Sequence, residues 1–269
     1  MFSIELELPS DKKLRIPELK NRDYLDIIKF CSNDDLHGLE KKFRSILPLE
    51  KLSIIDIFYT LVYIRSVFIG NEISFAGKDK IEIKYSLDIL LEKIISSHVE
   101  NNAVIKVGNI QINTSIPNCL YFENIDTLYT STIKSMTHNG IDIDFSDLSK
   151  SDQTVILDKL PTEVFLKIQQ FINTLSEELS DITLIENNDL VGLEEYRANL
   201  LGNSLANFIK LIFNYDLKTF YEMMYNYNHF VSNGSGDFFN LTFLEVSLIM
   251  NIHADRIKKE NDESKKQNR

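Results

Sequence analysis

Apolar and polar residues alternate at the start of the chain: Phe2, Ile4, Leu6 and Leu8 are apolar, and Ser3, Glu5 and Glu7 lie between them. A period of two puts one face of a strand on a core and the other in water. Ser10-Asp11-Lys12-Lys13 supplies turn residues, and Leu14 and Ile16 continue as a partner strand ending at Pro17, so the spacing predicts a hairpin. The period then becomes helical. Tyr24, Leu25, Ile27, Ile28 and Cys31 share a face after Asn21, a residue suited to an N-cap. Leu36, Leu39, Phe43 and Ile46 mark a second helix that runs to Pro48. Ser53 and Asp56 have capping-box spacing. The helix they open carries Ile54, Ile57, Phe58, Leu61, Val62, Ile64 and Phe68. It is apolar on most of its circumference, which predicts the centre of a core.

Alternation returns at Ile73 and Phe75 and, after a turn at 77–80, at Ile81, Ile83 and Tyr85: a second hairpin. Ser86 starts a helix with Leu87, Leu90, Leu91, Ile94 and Ile95 on one face. Val104 to Ile112 reads as a third hairpin turning at Gly108-Asn109, and Pro117 ends it. Beyond it, Asn124 is placed to cap a helix from Ile125 to Met136. Ile141, Ile143 and Phe145 form a lone strand before a helix capped by Ser149. Pro161 opens a long helix through Val164, Phe165, Ile168, Phe171, Ile172 and Leu175. Ile182 to Ile185 has strand character, and helices are expected over Leu193–Phe213, Leu217–Asn228 and Thr242–Lys258, the last with a Thr242/Glu245 capping box. The fold class is therefore α+β, mainly helical, with short β-hairpins concentrated in the first half. The organisation expected is an α+β region over 1–115, a mainly helical region over 116–258 and a charged flexible tail over 259–269. One domain spanning the first two regions is equally compatible with the weak boundary.

Composition narrows the function. Hydrophobic residues make up 43% of the 269, enough to fill a core, which excludes a wholly disordered chain. Net charge is −11, and because Lys258–Arg269 has a small positive excess the body is more negative still. A chain this acidic repels phosphate backbones, so no nucleic-acid partner is expected. The longest apolar stretch, Ile54–Ile69, is broken by Asp56 and Arg65, and no membrane partner is expected either. The N-terminus lacks a secretory pattern, so Asn-x-Ser/Thr matches at Asn113, Asn233 and Asn240 are read as chance. Cys31 and Cys119 form no metal or redox motif and read as reduced thiols.

Candidate chemistry is sparse. His37, His98, His138, His229 and His253 are scattered, with no pair at helical spacing, so no zinc site is read. Asp142 and Asp144, with Asp147 following, would share one face of a strand. That arrangement suits Mg²⁺ binding or paired acid–base work in a hydrolase or nuclease, but also a solvent-facing strand edge, the reading favoured here. No nucleophile elbow, activated thiol or phosphate-binding glycine loop is present, and neither catalytic residues nor cofactors are expected. The least ordinary stretch is Tyr215–Phe243. Phe220, Met224 and Tyr227 have the spacing of a core face, whereas Tyr221, Tyr225, Phe230, Phe238 and Phe239 are candidates for a partner surface, since aromatic side chains bring large contact area at modest entropic cost.

Several of these segments together resemble the baseplate hub assembly proteins of T-even-type contractile-tailed bacteriophages. The likeness lies in IPELKNRDYLDIIKFCSNDDLHGLEKKF, SIIDIFYTLVYIRSVFI and FIKLIFNYDLKTFYEMMYNYNHF, with the Leu160-Pro161 helix start, the FYE run at Phe220–Glu222 and the TFLE run at Thr242–Glu245 in the same order. The resemblance implies a non-enzymatic role in forming the baseplate hub through contacts with other hub or tail proteins. It implies work in the host cytoplasm and a place in the virion tail baseplate for any copy retained there. The abundance of isoleucine and asparagine and the lack of tryptophan agree with a phage origin. A general acidic adaptor remains the other non-enzymatic reading, and homo-oligomerisation is left open.

Overall fold

The computed structural model describes residues 3–49, 52–76, 82–97, 102–117, 125–182, 209–231 and 236–267. Two strands, β1 (Ser3–Glu7) and β2 (Lys13–Pro17), pair antiparallel, with Ile4 opposite Ile16 and Leu6 opposite Leu14. Helices α1 (Asn21–Ser32), α2 (Leu36–Ile46) and α3 (Ile54–Phe68) follow. A second antiparallel pair, β3 (Glu72–Ala76) with β4 (Glu82–Ser86), leads into α4 (Leu87–Ser96), whose N-cap is Ser86. Strands β5 (Val104–Val107), β6 (Ile110–Thr114), β7 (Ile133–His138) and β8 (Ile141–Asp144) make a four-stranded antiparallel meander, with α5 (Ile125–Thr132) between β6 and β7. Then come α6 (Lys150–Asp158), α7 (Thr162–Ile182), a helical segment at 209–213, α8 (Leu217–Asn226) and α9 (Phe243–Gln267). The expected α+β class, mainly helical with hairpins mostly in the first half, is what the chain adopts.

The capping box that Ser53 and Asp56 announce is formed, and it does more than start α3. The Asp56 carboxylate is buried. It accepts the Ser53 amide at 3.3 Å, and reaches the β1–β2 turn by accepting the Ser10 amide at 3.2 Å and the Ser10 hydroxyl at 2.9 Å. The first hairpin is thus fixed to the central helix by a carboxylate whose acceptor capacity is used by neighbouring donors, the condition under which a buried charge is tolerated. The α3 core includes Ile54, Ile57, Phe58, Leu61 and Ile64, each almost wholly buried, as the sequence pattern predicts. Arg65, near the C-terminal end of α3, donates Nε to the Ile212 carbonyl at 2.6 Å, Nη2 to Glu72 at 3.1 Å and Nη1 to Gly70, tying three segments to one side chain.

The larger sheet packs through one row of apolar side chains. Ile105 pairs with Ile112, Ile112 with Met136 and Met136 with Ile143, so a single face of four strands reaches the core. Val164, Ile168, Ile172, Leu175 and Leu179 form the buried stripe of α7, the face expected from its spacing. Both halves of the chain contribute to one contiguous core of buried residues, from Leu6 to Val246.

Four expectations need correction. The helix expected over Ile125–Met136 stops at Thr132, because Ile133–His138 pairs on both edges as β7. The strand at Ile141–Asp144 is consequently not alone but the far side of a two-residue hairpin. Its turn, Asn139-Gly140, has φ of 53° and 76°, the left-handed conformation such tight turns need. Asn21 is not the N-cap of α1: Lys20 occupies that position without a side-chain cap, and Asn21 is itself buried. Helix α9 runs through the charged segment from 259 as far as Gln267, with Arg256 and Glu260 paired across one turn at 2.8 Å. Ile182, expected in a strand, is the last residue of α7. The remainder of that strand, the first part of the Leu193–Phe213 helix, Cys119, Asn124, His98 and the loop at 232–235 lie outside the described residues.

Replacing Asp56 by alanine leaves the Ser10 and Ser53 donors without their acceptor and removes a helix cap. The Asp56→Ala protein is expected to lose about 2–4 kcal/mol of stability in denaturant unfolding. A loss below about 0.5 kcal/mol would mean that the hairpin is held by its apolar face alone. Cys31 is buried, and burial pushes its thiol up to about 12. In a Cys119→Ser background, Cys31 should resist a thiol reagent at mildly alkaline pH until the protein is unfolded.

Candidate partner-binding surface

Helix α8 starts at Asp216, whose carboxylate accepts the Thr219 amide at 2.8 Å and the Thr219 hydroxyl at 2.6 Å. These bonds hold the Asp216 pKa below the ordinary carboxylate value. Phe220 then points inward and is completely buried. Its ring lies 6.0 Å from Tyr24, 6.4 Å from Phe243 and 5.5 Å from Phe238, the first and last of these edge to face. Tyr24 also meets Phe243 at 5.4 Å and Tyr215 at 6.4 Å, so one aromatic cluster joins α1, α8 and α9. Burial drives the Tyr24 hydroxyl pKa upward, and that hydroxyl has no hydrogen-bond partner among the described residues.

Asn21 fastens this region across the chain. Its side-chain amide donates to the Phe238 carbonyl at 3.0 Å and lies 3.5 Å from that of Thr242, and its backbone amide donates to Leu241 at 2.8 Å. The segment it holds is a short 3₁₀ turn, Phe238–Asn240, capped by Asp237, followed by the expected Thr242/Glu245 capping box. Thr242 donates its amide to Glu245 at 2.7 Å, and Glu245 donates its own to the Thr242 hydroxyl at 3.2 Å. Tyr227 opens a π-helical turn over Tyr227–Val231 and packs, fully buried, 5.8 Å from Phe238.

The five partner-surface candidates therefore separate. Phe238 belongs to the core: it is completely buried between Phe220 and Tyr227, which removes it from any partner surface. Phe239 is only partly buried and packs against the core beside Phe238 at 5.6 Å. Tyr221, Tyr225 and Phe230 face outward at 41%, 55% and 61% exposure. Tyr221 and Tyr225, one helical turn apart, flank a shallow pocket of about 500 Å³ with Lys218, Glu222 and Asn226. The Tyr225 ring stacks on His229 at 3.9 Å, which fixes its orientation without covering it. Of the residues read as core, Phe220 and Tyr227 are fully buried and Met224 partly so.

Three further exposed residues escaped the sequence reading. Leu244, Leu248 and Ile252 repeat every four residues along α9, on the side opposite Val246, which is buried. The available sign was that apolar residues of this helix occupy two faces instead of one. Between 251 and 263 every side chain is exposed except half-buried His253, so α9 leaves the core after Met250. At about 1.5 Å per residue, its 25 residues span roughly 37 Å.

Asp142 and Asp144 do share the solvent-facing side of β8, as strand period requires. Asp142 accepts the Thr137 hydroxyl at 2.5 Å. Asp144 caps the turn Phe145–Asp147, accepting the Ser146 amide at 2.9 Å and its hydroxyl at 2.7 Å. Those two bonds, the hydroxyl first, hold the Asp144 pKa below its ordinary value. Among the described residues no three His, Cys, Asp or Glu side chains converge on a point where a metal ion would sit. Among the same residues, no helix is long and apolar enough to cross a membrane.

Phe238→Ala is expected to destabilise the protein by about 3–5 kcal/mol, whereas Tyr225→Ala should stay within about 0.5 kcal/mol of the parent. Chemical denaturation of the two variants distinguishes core from surface; equal losses would overturn the assignment.

A family described as T4 bacteriophage base plate protein matches residues 1–186. No curated protein and no solved structure matches the chain.

Proposed function

We propose a hub role for this chain, which belongs to the T4 bacteriophage base plate protein family: it is a subunit or assembly factor of the baseplate hub that acts by binding other proteins and catalyses no reaction. Family membership makes it a baseplate protein and implies contacts with other phage baseplate or tail proteins. The hub assignment rests on the sequence resemblance over the N-terminal hairpin, the DIFY helix and the Phe220–Glu222 and Thr242–Glu245 runs. Assembly in the host cytoplasm goes with that assignment.

The observation that favours binding over catalysis is the exposed set Tyr221 and Tyr225 on α8, whose inner face is locked into the aromatic core, and Phe230 on the π-helical turn that follows. Exposed aromatics on a fixed scaffold make effective hot spots, because little side-chain freedom remains to be lost on association. The stripe Leu244, Leu248 and Ile252 adds apolar area on the neighbouring helix. The row lies C-terminal to the stretch matched by the family, so it is a property of this chain's own second half. The hydrolase reading finds no comparable support, since Asp142 and Asp144 are occupied by local hydrogen bonds.

Co-expression with the proteins of neighbouring tail and baseplate genes should give a complex that survives purification. Changing Tyr221, Tyr225 and Phe230 together to alanine should weaken it at least about tenfold while leaving the melting temperature unchanged. Full separation of the parent protein from every such partner at micromolar concentration and low salt would overturn the reading.

A further inference from the structure

A second surface differs in chemistry from the aromatic row. Between α2 and the β1–β2 turn on one side, and α5, β7 and α6 on the other, lies an open cleft of about 1260 Å³. Small-molecule sites are usually about 300–1,000 Å³, so this one has the dimensions of a peptide groove. One wall is the polar face of α2, where His37, Glu40, Lys41 and Arg44 succeed one another at helical spacing, opposite the buried Leu39 and Phe43. Lys134 of β7 and Lys150 of α6 project from the far wall, and Lys12 of the hairpin turn closes one end.

The charge balance there runs against that of the molecule. Among the described residues, five Lys and Arg line the cleft against three carboxylates, Glu40, Asp126 and Asp144, while the whole chain carries −11. Two of those carboxylates have local partners already: Glu40 pairs with Arg44 at 2.6 Å, and Asp144 accepts from Ser146. Lys41, Lys134 and Lys150 are exposed, and none of them forms an ion pair with a carboxylate among the described residues, although the Lys134 charge reaches Asp144. Lys150 occupies the first position of α6, where a cation opposes the helix dipole and lowers local stability. A positive charge kept at a locally unfavourable position is a sign of function elsewhere.

The lining selects between polyanions. Single-stranded nucleic acid needs exposed aromatic platforms on which bases stack. Among the described residues the aromatic ring on this lining is Phe145, which is 1% exposed and offers no such face. Leu52 and Ile116 line the same space as buried apolar side chains, and Ser and Thr hydroxyls border it. Cations above a partly apolar floor suit an extended polypeptide in which carboxylates alternate with small apolar side chains.

We propose that this cleft docks an acidic segment of a partner protein, its carboxylates meeting Lys41, Lys134 and Lys150 and its apolar side chains turning toward Leu52 and Ile116. The proposal rests on the protein-binding role given above and names the chemistry of a partner at a separate surface. The described lining residues fall within 12–154, inside the stretch matched by the family. Positive charge at a cleft of an otherwise acidic protein also steers an acidic segment there and away from the rest of the surface.

The test uses the full chain and a short fluorescein-labelled peptide of repeating Glu-Asp-Leu-Ser, titrated by anisotropy beside the same peptide with lysine for its acids and an oligo-dT of equal charge. The acidic peptide should bind saturably and lose affinity as salt rises. The triple variant Lys41→Glu, Lys134→Glu, Lys150→Glu should weaken it at least about tenfold; the alanine variant of Tyr221, Tyr225 and Phe230 should bind it as the parent does. Single Lys41→Glu, on the exposed face of α2, gives a smaller loss in the same direction should the triple variant misfold. Failure of the peptide to bind, binding untouched by charge reversal, or tighter binding of oligo-dT would each overturn the proposal. Self-association of the parent that charge reversal abolishes would overturn it too, by making a second copy the occupant. A hub complex that persists through charge reversal and depends on Tyr221, Tyr225 and Phe230 would reject the cleft while leaving the hub role standing.

Discussion

The buried carboxylate of Asp56 is the joint on which the N-terminal half depends. A β-hairpin of two short strands is marginal in water, since one face of such a pair cannot bury itself. Here the hairpin acquires its position from three donors converging on one side chain: the amide and hydroxyl of Ser10 and the amide of Ser53. The same side chain starts α3, the most apolar helix among the described residues, around which the rest of the core assembles. Helix start and hairpin placement are therefore one event. Because the carboxylate has 0% exposure, its hydrogen bonds are not exchanged with water, and the geometry it imposes is specific in a way that apolar contact alone would not be.

A second joint closes the chain on itself. Asn21 lies at the start of α1 and binds the backbone of the Phe238–Thr242 segment, more than two hundred residues further on. Around it, Tyr24, Phe220, Phe238 and Phe243 stack edge on face in a cluster that no single element could form. The consequence for function is rigidity. Helix α8 is gripped along one side, so the tyrosines on its other side are presented in fixed positions. The helix that follows is gripped only over its first turns and then leaves the body.

Charge is distributed with equal economy. The chain carries −11, while among the described residues five Lys and Arg meet three carboxylates at the cleft bounded by α2 and the four-stranded sheet. As proposed binding surfaces, an aromatic row and a cationic cleft would recognise different chemistry, so that two partners would be distinguished by contact type and not by affinity alone. For a baseplate protein, two unlike binding surfaces would be a physical means of ordering contacts.

What the sequence determined by itself was local. The Ser53/Asp56 and Thr242/Glu245 boxes, the Ser149 cap, the first three hairpins and the buried stripe of α7 all follow from residues within a few positions of one another, and all are formed. The Asn139-Gly140 turn goes unread in the sequence, because the apolar run before it reads as the end of a helix, and only pairing with β6 and β8 makes it a strand. The tertiary structure alone decided the surfaces. Phe238 and Tyr225 are alike in sequence context, yet one is sealed by Phe220 and Tyr227 and the other lies open. Asn21 has the composition of a cap and the environment of a core residue, because its partners come from the far end of the chain. The cationic cleft was invisible for the same reason: its lysines are far apart in sequence, and only folding brings them to one place. Periodicity and capping depend on neighbours along the chain, whereas burial and charge concentration depend on neighbours in space.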